Sequence, residues 1–137
     1  MIYLDSAAIV KLVHSEPESS ELDAWLIERI SMPRVTSDLA EVEVPRAINR
    51  CAPDRQQQVP VVMSTIVRIH ISEPVRTLAA SYKDPALRSL DTIHLATAQM
   101  LANRAGEPVA TFVSYDKRLL IAARGVGLPV ASPGAAA

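Results

Sequence analysis

The sequence predicts an α/β fold: a three-layer α/β/α sandwich with a central, mainly parallel sheet. Short apolar runs alternate with longer segments of helical periodicity, which is the pattern of parallel β–α units. The run at residues 2–4 is apolar throughout and the run at 109–113 is mostly apolar and β-branched, as expected for strands that are covered on both faces. A length of 137 residues fits one domain, which we place at residues 1–131, followed by a short C-terminal tail at 132–137.

Five strands are expected in this sheet. They are predicted at residues 2–4, 34–36, 68–71, 109–113 and 128–130. In a parallel sheet the chemistry lies just beyond the carboxyl ends of the strands. The residues that directly follow each run are therefore the first candidates for a functional site.

Seven helices are expected to cover the sheet. They are predicted at residues 7–13, 16–30, 38–50, 56–67, 75–82, 89–103 and 117–123. In the second helix, Leu22, Trp25, Leu26 and Ile30 recur at helical spacing, so all four are expected to face the core. Ser89 is expected to cap the sixth helix.

Composition and charge exclude several classes of protein. The chain is 49% hydrophobic and 21% charged, which argues against a disordered chain. Its formal net charge of −1 excludes nucleic-acid binding through overall positive charge and leaves only a local basic patch. Cys51 is the single cysteine, so a disulfide framework and a multi-cysteine zinc site are excluded. No apolar stretch reaches the roughly 18 residues of a membrane span, and we expect a cytoplasmic protein.

Acidic residues occupy the positions that matter in such a sheet. Asp5 follows the first strand and Asp116 follows the run 109–113, while Asp91 lies in the first turn of the sixth helix. Each of these acids has a structural explanation: it could cap a helix or interact with the positive end of a helix dipole. However, capping alone does not require that two acids follow strands at the same edge of the sheet.

Glu43 is the fourth acid of interest. It lies on the apolar side of the third helix, where an unpaired carboxylate is costly to bury. Its structural explanation is an ion pair with Arg46 or Arg50 along the same helix. Pro45 interrupts that helix by removing a backbone donor and is expected to kink it.

A shared cation would explain why four carboxylates converge. Converging carboxylates repel one another and raise one another's pKa values unless a positive charge lies between them. Oxygen ligands suit a hard divalent ion, so we expect Mg²⁺, with Mn²⁺ as the alternative, bound by Asp5, Glu43, Asp91 and Asp116.

Four segments of the chain resemble the PIN domain family and, more narrowly, the VapC toxins of bacterial toxin–antitoxin pairs. These segments are residues 2–6 (IYLDS), 37–47 (SDLAEVEVPRA), 90–98 (LDTIHLATA) and 112–116 (FVSYD), the last followed by Leu119. The resemblance implies a PIN-like α/β/α sandwich and a metal-dependent endoribonuclease. It places Asp5, Glu43, Asp91 and Asp116 on the family's acidic positions, and Ser6 and Ser114 on positions where a small hydroxyl residue supports the site.

The resemblance also implies partners and a mechanism. The partners are an RNA substrate, a cognate VapB-type antitoxin that inhibits the enzyme, and a second copy in a homodimer. We expect a water activated by the metal to attack the phosphorus in line, leaving 5′-phosphate and 3′-hydroxyl ends. Lys11, Arg46 and Arg118 lie near the acids in sequence and are candidates for contacts to RNA phosphates. Arg50 and Lys117 also lie near the acids in sequence, but a position on a solvated face explains them at least as well as a contact to RNA.

His94 is a further sequence feature that has a structural explanation. His94 follows Asp91 by three residues on the same helix, which could suggest a metal pair. Its neighbours Ile93 and Leu95 are apolar, which favours a packed, hydrogen-bonded core histidine.

Other functions remain open at this point. A metal-dependent phosphatase usually needs a second acid two residues after the first, where this chain has Ala7. A response-regulator receiver domain would need an acidic pair after the first strand, and only Asp5 is present. A catalytically inactive PIN-like module that binds a partner would share every predicted strand and helix.

Overall fold

Five short strands form one sheet in the computed structural model, which describes residues 1–104 and 106–135. The strands are β1 Ile2–Leu4, β2 Arg34–Ser37, β3 Val67–Ile69, β4 Thr111–Val113 and β5 Val130–Ala131. All four neighbouring pairs are parallel, in the order β3-β2-β1-β4-β5. The strand order reverses between β1 and β4, and such a switch point is where open α/β sheets bind ligands.

In the described part of the chain, seven α-helices cover the two faces of the sheet. They are α1 Ser6–Val13, α2 Ser19–Ile27, α3 Ala40–Cys51, α4 Gln58–Met63, α5 Glu73–Ser81, α6 Ser89–Ala102 and α7 Lys117–Gly125. Helices α1–α4 pack together on one face, and α5–α7 contribute to the core on the other. The predicted α/β/α sandwich with a parallel sheet is confirmed.

Alternation along β1 divides the core between the two layers. Ile2 and Leu4 pack with α1–α4, whereas Tyr3 packs on the opposite face beside Phe112 of β4. Successive side chains of a strand point to opposite faces, so a run that is apolar throughout must be covered on both. All four of these side chains are fully buried.

Three details of the sequence prediction are wrong. Helix α2 ends at Ile27, so Ile30 lies in a turn with 74% of its surface exposed instead of facing the core. The helix predicted at 56–67 is reduced to α4, because residues 64–66 turn into β3. Arg88, not Ser89, is the N-cap of α6, and its backbone N–H bonds to the carboxylate of Asp91.

The segment after β5 is held against the rest of the domain. Ser132 Oγ donates to the carbonyl of Ser114 over 2.6 Å, and Tyr115 Oη donates to the carbonyl of Pro133 over 2.8 Å. Residues 136 and 137 of the predicted tail lie outside the described residues. Within residues 1–104 and 106–135, no helix combines the length and the apolar character needed to cross a bilayer.

Pro45 lies inside α3, where it has no N–H to donate to the carbonyl of Glu41. We expect Pro45→Ala to raise the free energy of unfolding by about 1–2 kcal/mol, because the regained hydrogen bond outweighs the added entropy of the unfolded chain. Urea denaturation measures this as a higher midpoint at an unchanged slope.

Pro60 provides the matched control. It lies in the first turn of α4, where a backbone N–H would have no partner within the helix. Pro60→Ala should therefore be neutral or slightly destabilising. A lower midpoint for Pro45→Ala than for the wild type would contradict the prediction.

Candidate active site

Asp5 lies at the switch point between β1 and β4. Its backbone N–H donates to the carbonyl of Val113, and its Oδ1 accepts the N–H of Ala8 over 2.9 Å, which caps α1. The residue is only 4% exposed. A carboxylate is thus held below the surface by backbone groups at the end of the central strand.

Burial governs the ionisation of Asp5. It raises the pKa of the Asp5 carboxyl above the ordinary value, and the charge of Glu43 raises it further. His94 and Ser114 lower this pKa without cancelling the effect of burial. The site therefore contains a carboxylate whose negative charge the surrounding protein does not fully compensate.

Glu43 points from α3 towards the same edge. Its Oε1 accepts a hydrogen bond from Ser6 Oγ over 2.6 Å and lies 2.8 Å from His94 Nε2. Burial alone would raise the pKa of Glu43, but the hydrogen bonds from His94 and Ser6 hold it below the ordinary value. The expected ion pair with Arg46 or Arg50 is replaced by these two contacts, and Pro45 does not turn Glu43 away from the site.

Asp116 is the N-cap of α7. Its Oδ1 accepts the N–H of Arg118 over 2.9 Å and that of Leu119 over 3.4 Å. Its own N–H donates to Ser114 Oγ, and Ser114 is fully buried beside Asp5. Ser114 thus connects the two acids that follow β1 and β4.

Asp91 lies one turn before His94 on α6. Its carboxylate accepts the N–H of Arg88 and so helps to cap α6, which is the structural role that the sequence analysis considered for it. A rise of about 1.5 Å per residue places it about 4.5 Å along the helix axis from His94, which contacts Glu43.

The donor chemistry fits a hard divalent ion, although no complete cage is formed. The described residues contain no group of three or more His, Cys, Asp and Glu side chains arranged to hold a metal ion. The four predicted acids are therefore not assembled into one preformed group. Mg²⁺, however, commonly keeps several waters and binds only one or two carboxylates. Asp5 and Glu43 are the two carboxylates that would hold such an ion, and the charge of Glu43 acts on Asp5.

Comparisons with known proteins identify the family. The family model for the PIN domain matches residues 2–125. The chain belongs to the PIN domain family. It is 46% identical over 136 residues to Ribonuclease VapC35 of Mycobacterium tuberculosis, with 99% of each chain covered.

Solved structures agree with this PIN fold. A toxin–antitoxin complex from Klebsiella pneumoniae aligns with a TM-score of 0.70 at 20% identity, covering 97% of this chain and 98% of that one. VapC20 of M. tuberculosis, described as a sarcin–ricin loop cleaving toxin, aligns with a TM-score of 0.71 at 12% identity, covering 89% and 95%. At these identities the likeness concerns the fold.

The predicted RNA contacts of this PIN domain are placed in different environments. Lys11 is largely buried, forms ion pairs with Glu18 (2.8 Å) and Glu16 (3.5 Å), and packs over the ring of Tyr115. Arg46 is exposed. Arg118 is half-exposed, with Nε 3.8 Å from Asp116 Oδ1. Lys11 therefore already has its charge paired, whereas the other two lie open to solvent.

A groove lies beside Asp116 at this edge of the sheet. It is lined in part by Ala7, Arg50, Cys51 and Tyr115. Cys51 is exposed at the end of α3.

The contact of His94 with Glu43 is one that the sequence analysis did not predict. It is a buried, hydrogen-bonded histidine as predicted, but its Nε2 faces Glu43 and Ser6 rather than the interior. The spacing of His94 from Asp91 was the available signal, because both belong to one turn of α6 that reaches the site.

The raised pKa of Asp5 gives a prediction for stability. A folded-state pKa above the unfolded value means that ionised Asp5 opposes folding, so its cost is largest at neutral pH and disappears as the pH falls through the raised pKa. Without divalent metal at pH 7, we expect Asp5→Asn to be more stable than the wild type by roughly 0.5–2 kcal/mol. This advantage should shrink on acidification, which urea denaturation in EDTA at several pH values would measure.

Asp5→Ala is the control for capping. Asn can still accept the N–H of Ala8, whereas Ala cannot, so Asp5→Ala should be less stable than Asp5→Asn by about 1 kcal/mol. If Asp5→Asn were less stable than the wild type at pH 7, the charge of Asp5 would not be the source of the cost.

Proposed function

We propose that this PIN domain is a VapC-type toxin, a metal-dependent endoribonuclease that hydrolyses RNA phosphodiester bonds. The single observation that carries the proposal is the buried carboxylate of Asp5 beside Glu43 at the β1–β4 switch point. Support comes from the match to Ribonuclease VapC35 over nearly the whole of both chains. We also propose that it acts in the cytoplasm, where a free thiol such as that of Cys51 stays reduced.

PIN-domain VapC ribonucleases generally depend on a divalent metal ion. For this chain we propose Mg²⁺, with Mn²⁺ as a substitute, bound by Asp5 and Glu43 and approached by Asp91 and Asp116. When bound, the ion would supply an activated water and neutralise charge on the phosphoryl oxygens. Mg²⁺ and Mn²⁺ share the oxygen-rich preference that these side chains satisfy.

The residues of the chain provide the remaining requirements of hydrolysis. Asp5, buried at the end of β1 and fixed by the N–H of Ala8, would be held in place as a ligand of the ion. Ser6 and Ser114 hold the neighbouring Glu43 and Asp116 through hydrogen bonds. Arg46 and Arg118 lie exposed, where they could contact RNA phosphates.

The test is incubation of the purified protein with total cellular RNA, with Mg²⁺ or Mn²⁺ and with EDTA, followed by mapping of the cut ends. We expect discrete cuts with 5′-phosphate and 3′-hydroxyl ends that EDTA abolishes. Asp5→Asn and Glu43→Gln should each reduce the rate by at least about 100-fold, because each removes a proposed ligand of the metal.

Glu41→Gln is the matched control. Glu41 lies two residues before Glu43 on α3, but it is exposed and paired with Arg68 over 2.8 Å, so its variant should keep wild-type activity. Cyclic phosphate ends or cleavage that persists in EDTA would contradict the mechanism. An inactive wild type would favour the PIN-like partner-binding module instead.

We further propose that the protein forms a homodimer and binds a cognate VapB-type antitoxin that inhibits it. Several large apolar side chains are exposed on the described surface: Ile27, Ile30, Val42, Val61 and Ile121. Exposed apolar groups of this kind are typical of surfaces that a partner covers. One structural neighbour is itself a toxin–antitoxin complex.

The homodimer can be tested without knowing the antitoxin. Light scattering after size-exclusion chromatography should give twice the chain mass of 14.8 kDa at micromolar concentration. Ile121→Asp and Ile30→Asp would each place a charge on a different exposed apolar position, and the one that lies in the interface should shift the mass to the monomer. A wild type that is monomeric at all concentrations tested would contradict the homodimer.

A further inference from the structure

A chain of buried hydrogen bonds lies directly behind Glu43. Tyr3 Oη is 2.7 Å from His94 Nδ1, and His94 Nε2 is 2.8 Å from Glu43 Oε1. Tyr3 is fully buried and His94 is 3% exposed. The phenol of the central strand is thus connected through one imidazole to a carboxylate of the site.

Hydrogen-bond chemistry fixes the direction of this chain. An ionised carboxylate can only accept, so His94 Nε2 must carry the hydrogen that points to Glu43. In the neutral imidazole, Nδ1 is then an acceptor and Tyr3 must donate to it. Tyr3 therefore selects the tautomer of His94 that can hold Glu43.

Packing makes the chain rigid. The ring of Tyr3 stacks on Phe112 with centroids 5.2 Å apart and 9° between the planes. It meets His94 edge-on, at 5.8 Å and 80°. The phenol that supports His94 is therefore fixed between β1, β4 and α6.

The chain also crosses from one helical layer to the other. Glu43 belongs to α3, which packs on the face of Ile2 and Leu4, whereas His94 belongs to α6 on the opposite face. Ser6 of α1 donates to Oε1 of Glu43, the same oxygen that His94 contacts. Both donors thus hold the same oxygen of Glu43, Oε1.

We propose that His94, oriented by Tyr3, is a positioning residue that fixes the carboxylate of Glu43 for metal binding. The inference rests on the proposed function, since it concerns the metal of that same site. His94 neither touches RNA nor binds the metal; it acts through Glu43. The competing explanation is that His94 only fills the core.

The experiment measures Mn²⁺ affinity of the metal-free protein by isothermal titration calorimetry. His94→Leu keeps much of the volume and removes the donor, so Mn²⁺ should bind about 10–100-fold more weakly. His94→Gln retains an N–H donor near the position of Nε2 and should stay within about threefold of the wild type. Tyr3→Phe removes one hydroxyl and should weaken binding in the same direction as His94→Leu, by a smaller factor.

Two controls separate positioning from packing. His70→Leu changes an exposed histidine outside the site and should leave Mn²⁺ affinity unchanged. In a Glu43→Gln background, His94→Leu should cause no further weakening, because the carboxylate through which it acts is gone. With RNA as substrate, His94→Leu should lower kcat and leave KM within about twofold, since the buried ring does not contact RNA.

The outcomes that overturn the inference are distinct from those that overturn the proposed function. Wild-type Mn²⁺ affinity in folded His94→Leu, or an equal loss in the Glu43→Gln background, would make His94 a packing residue. If His94→Leu does not fold, an unchanged Mn²⁺ affinity in Tyr3→Phe overturns the inference by itself. A wild-type protein that binds no Mn²⁺ would overturn the proposed function and this inference with it.

Discussion

The parallel pairing of β1 with β4 is the constraint on which the site depends. Leu4 is in register with Val113, and the N–H of Asp5 continues the ladder by donating to the carbonyl of Val113. This register sets Asp5 level with Ser114 and leaves Asp116 two residues beyond. A slip of one residue would turn every side chain of the strand to the opposite face, so the register fixes the core and the site together.

The two central carboxylates are held in opposite electrostatic conditions. Burial raises the pKa of Asp5, whereas hydrogen bonds from His94 and Ser6 lower that of Glu43. Relative to free side chains, the protein thus disfavours the ionised form of Asp5 and favours that of Glu43. The stability that the fold loses by burying Asp5 is the consequence of having such a pair at the end of the central strand.

The sequence predicts the strands and the acids of this domain better than the contacts among them. Apolar runs are local patterns, so β1 and the α/β/α class could be predicted, and Asp5 and Asp116 could be expected at one sheet edge because they follow strands. Helix ends depend on which turn the chain takes next, which is why Ile30 was wrongly assigned to the core.

The hydrogen-bond partners of Glu43 show why contacts between distant residues could not be predicted from the sequence. Neighbouring arginines on α3 were the only partners visible in the local pattern, yet the actual donors are Ser6 and His94, separated from Glu43 by 37 and 51 positions. Their proximity follows from how α1, α3 and α6 are placed around β1. That placement is decided by packing of the whole chain, and no spacing within one helix encodes it.

All four predicted acids lie at the beginning of a helix, where the positive end of the helix dipole contributes to holding them. Asp5 and Asp116 are the N-caps of α1 and α7, Asp91 lies in the first turn of α6, and Glu43 lies in the first turn of α3. Backbone N–H groups at these positions stabilise a carboxylate by about 0.3–1 kcal/mol each.

Holding the acids by backbone dipoles has a different consequence from holding them by side-chain cations. A lysine or arginine in a buried ion pair would fix a carboxylate equally well, but it would also cancel the negative charge that attracts a divalent ion. A helix N-terminus orients the carboxylate and adds no net charge. Asp5 is capped by the N–H of Ala8, and among the described residues the groups that act on its charge include no arginine or lysine. The parallel sheet, which directs strand ends and helix beginnings to the same edge, is therefore suited to gather acids at helix N-termini.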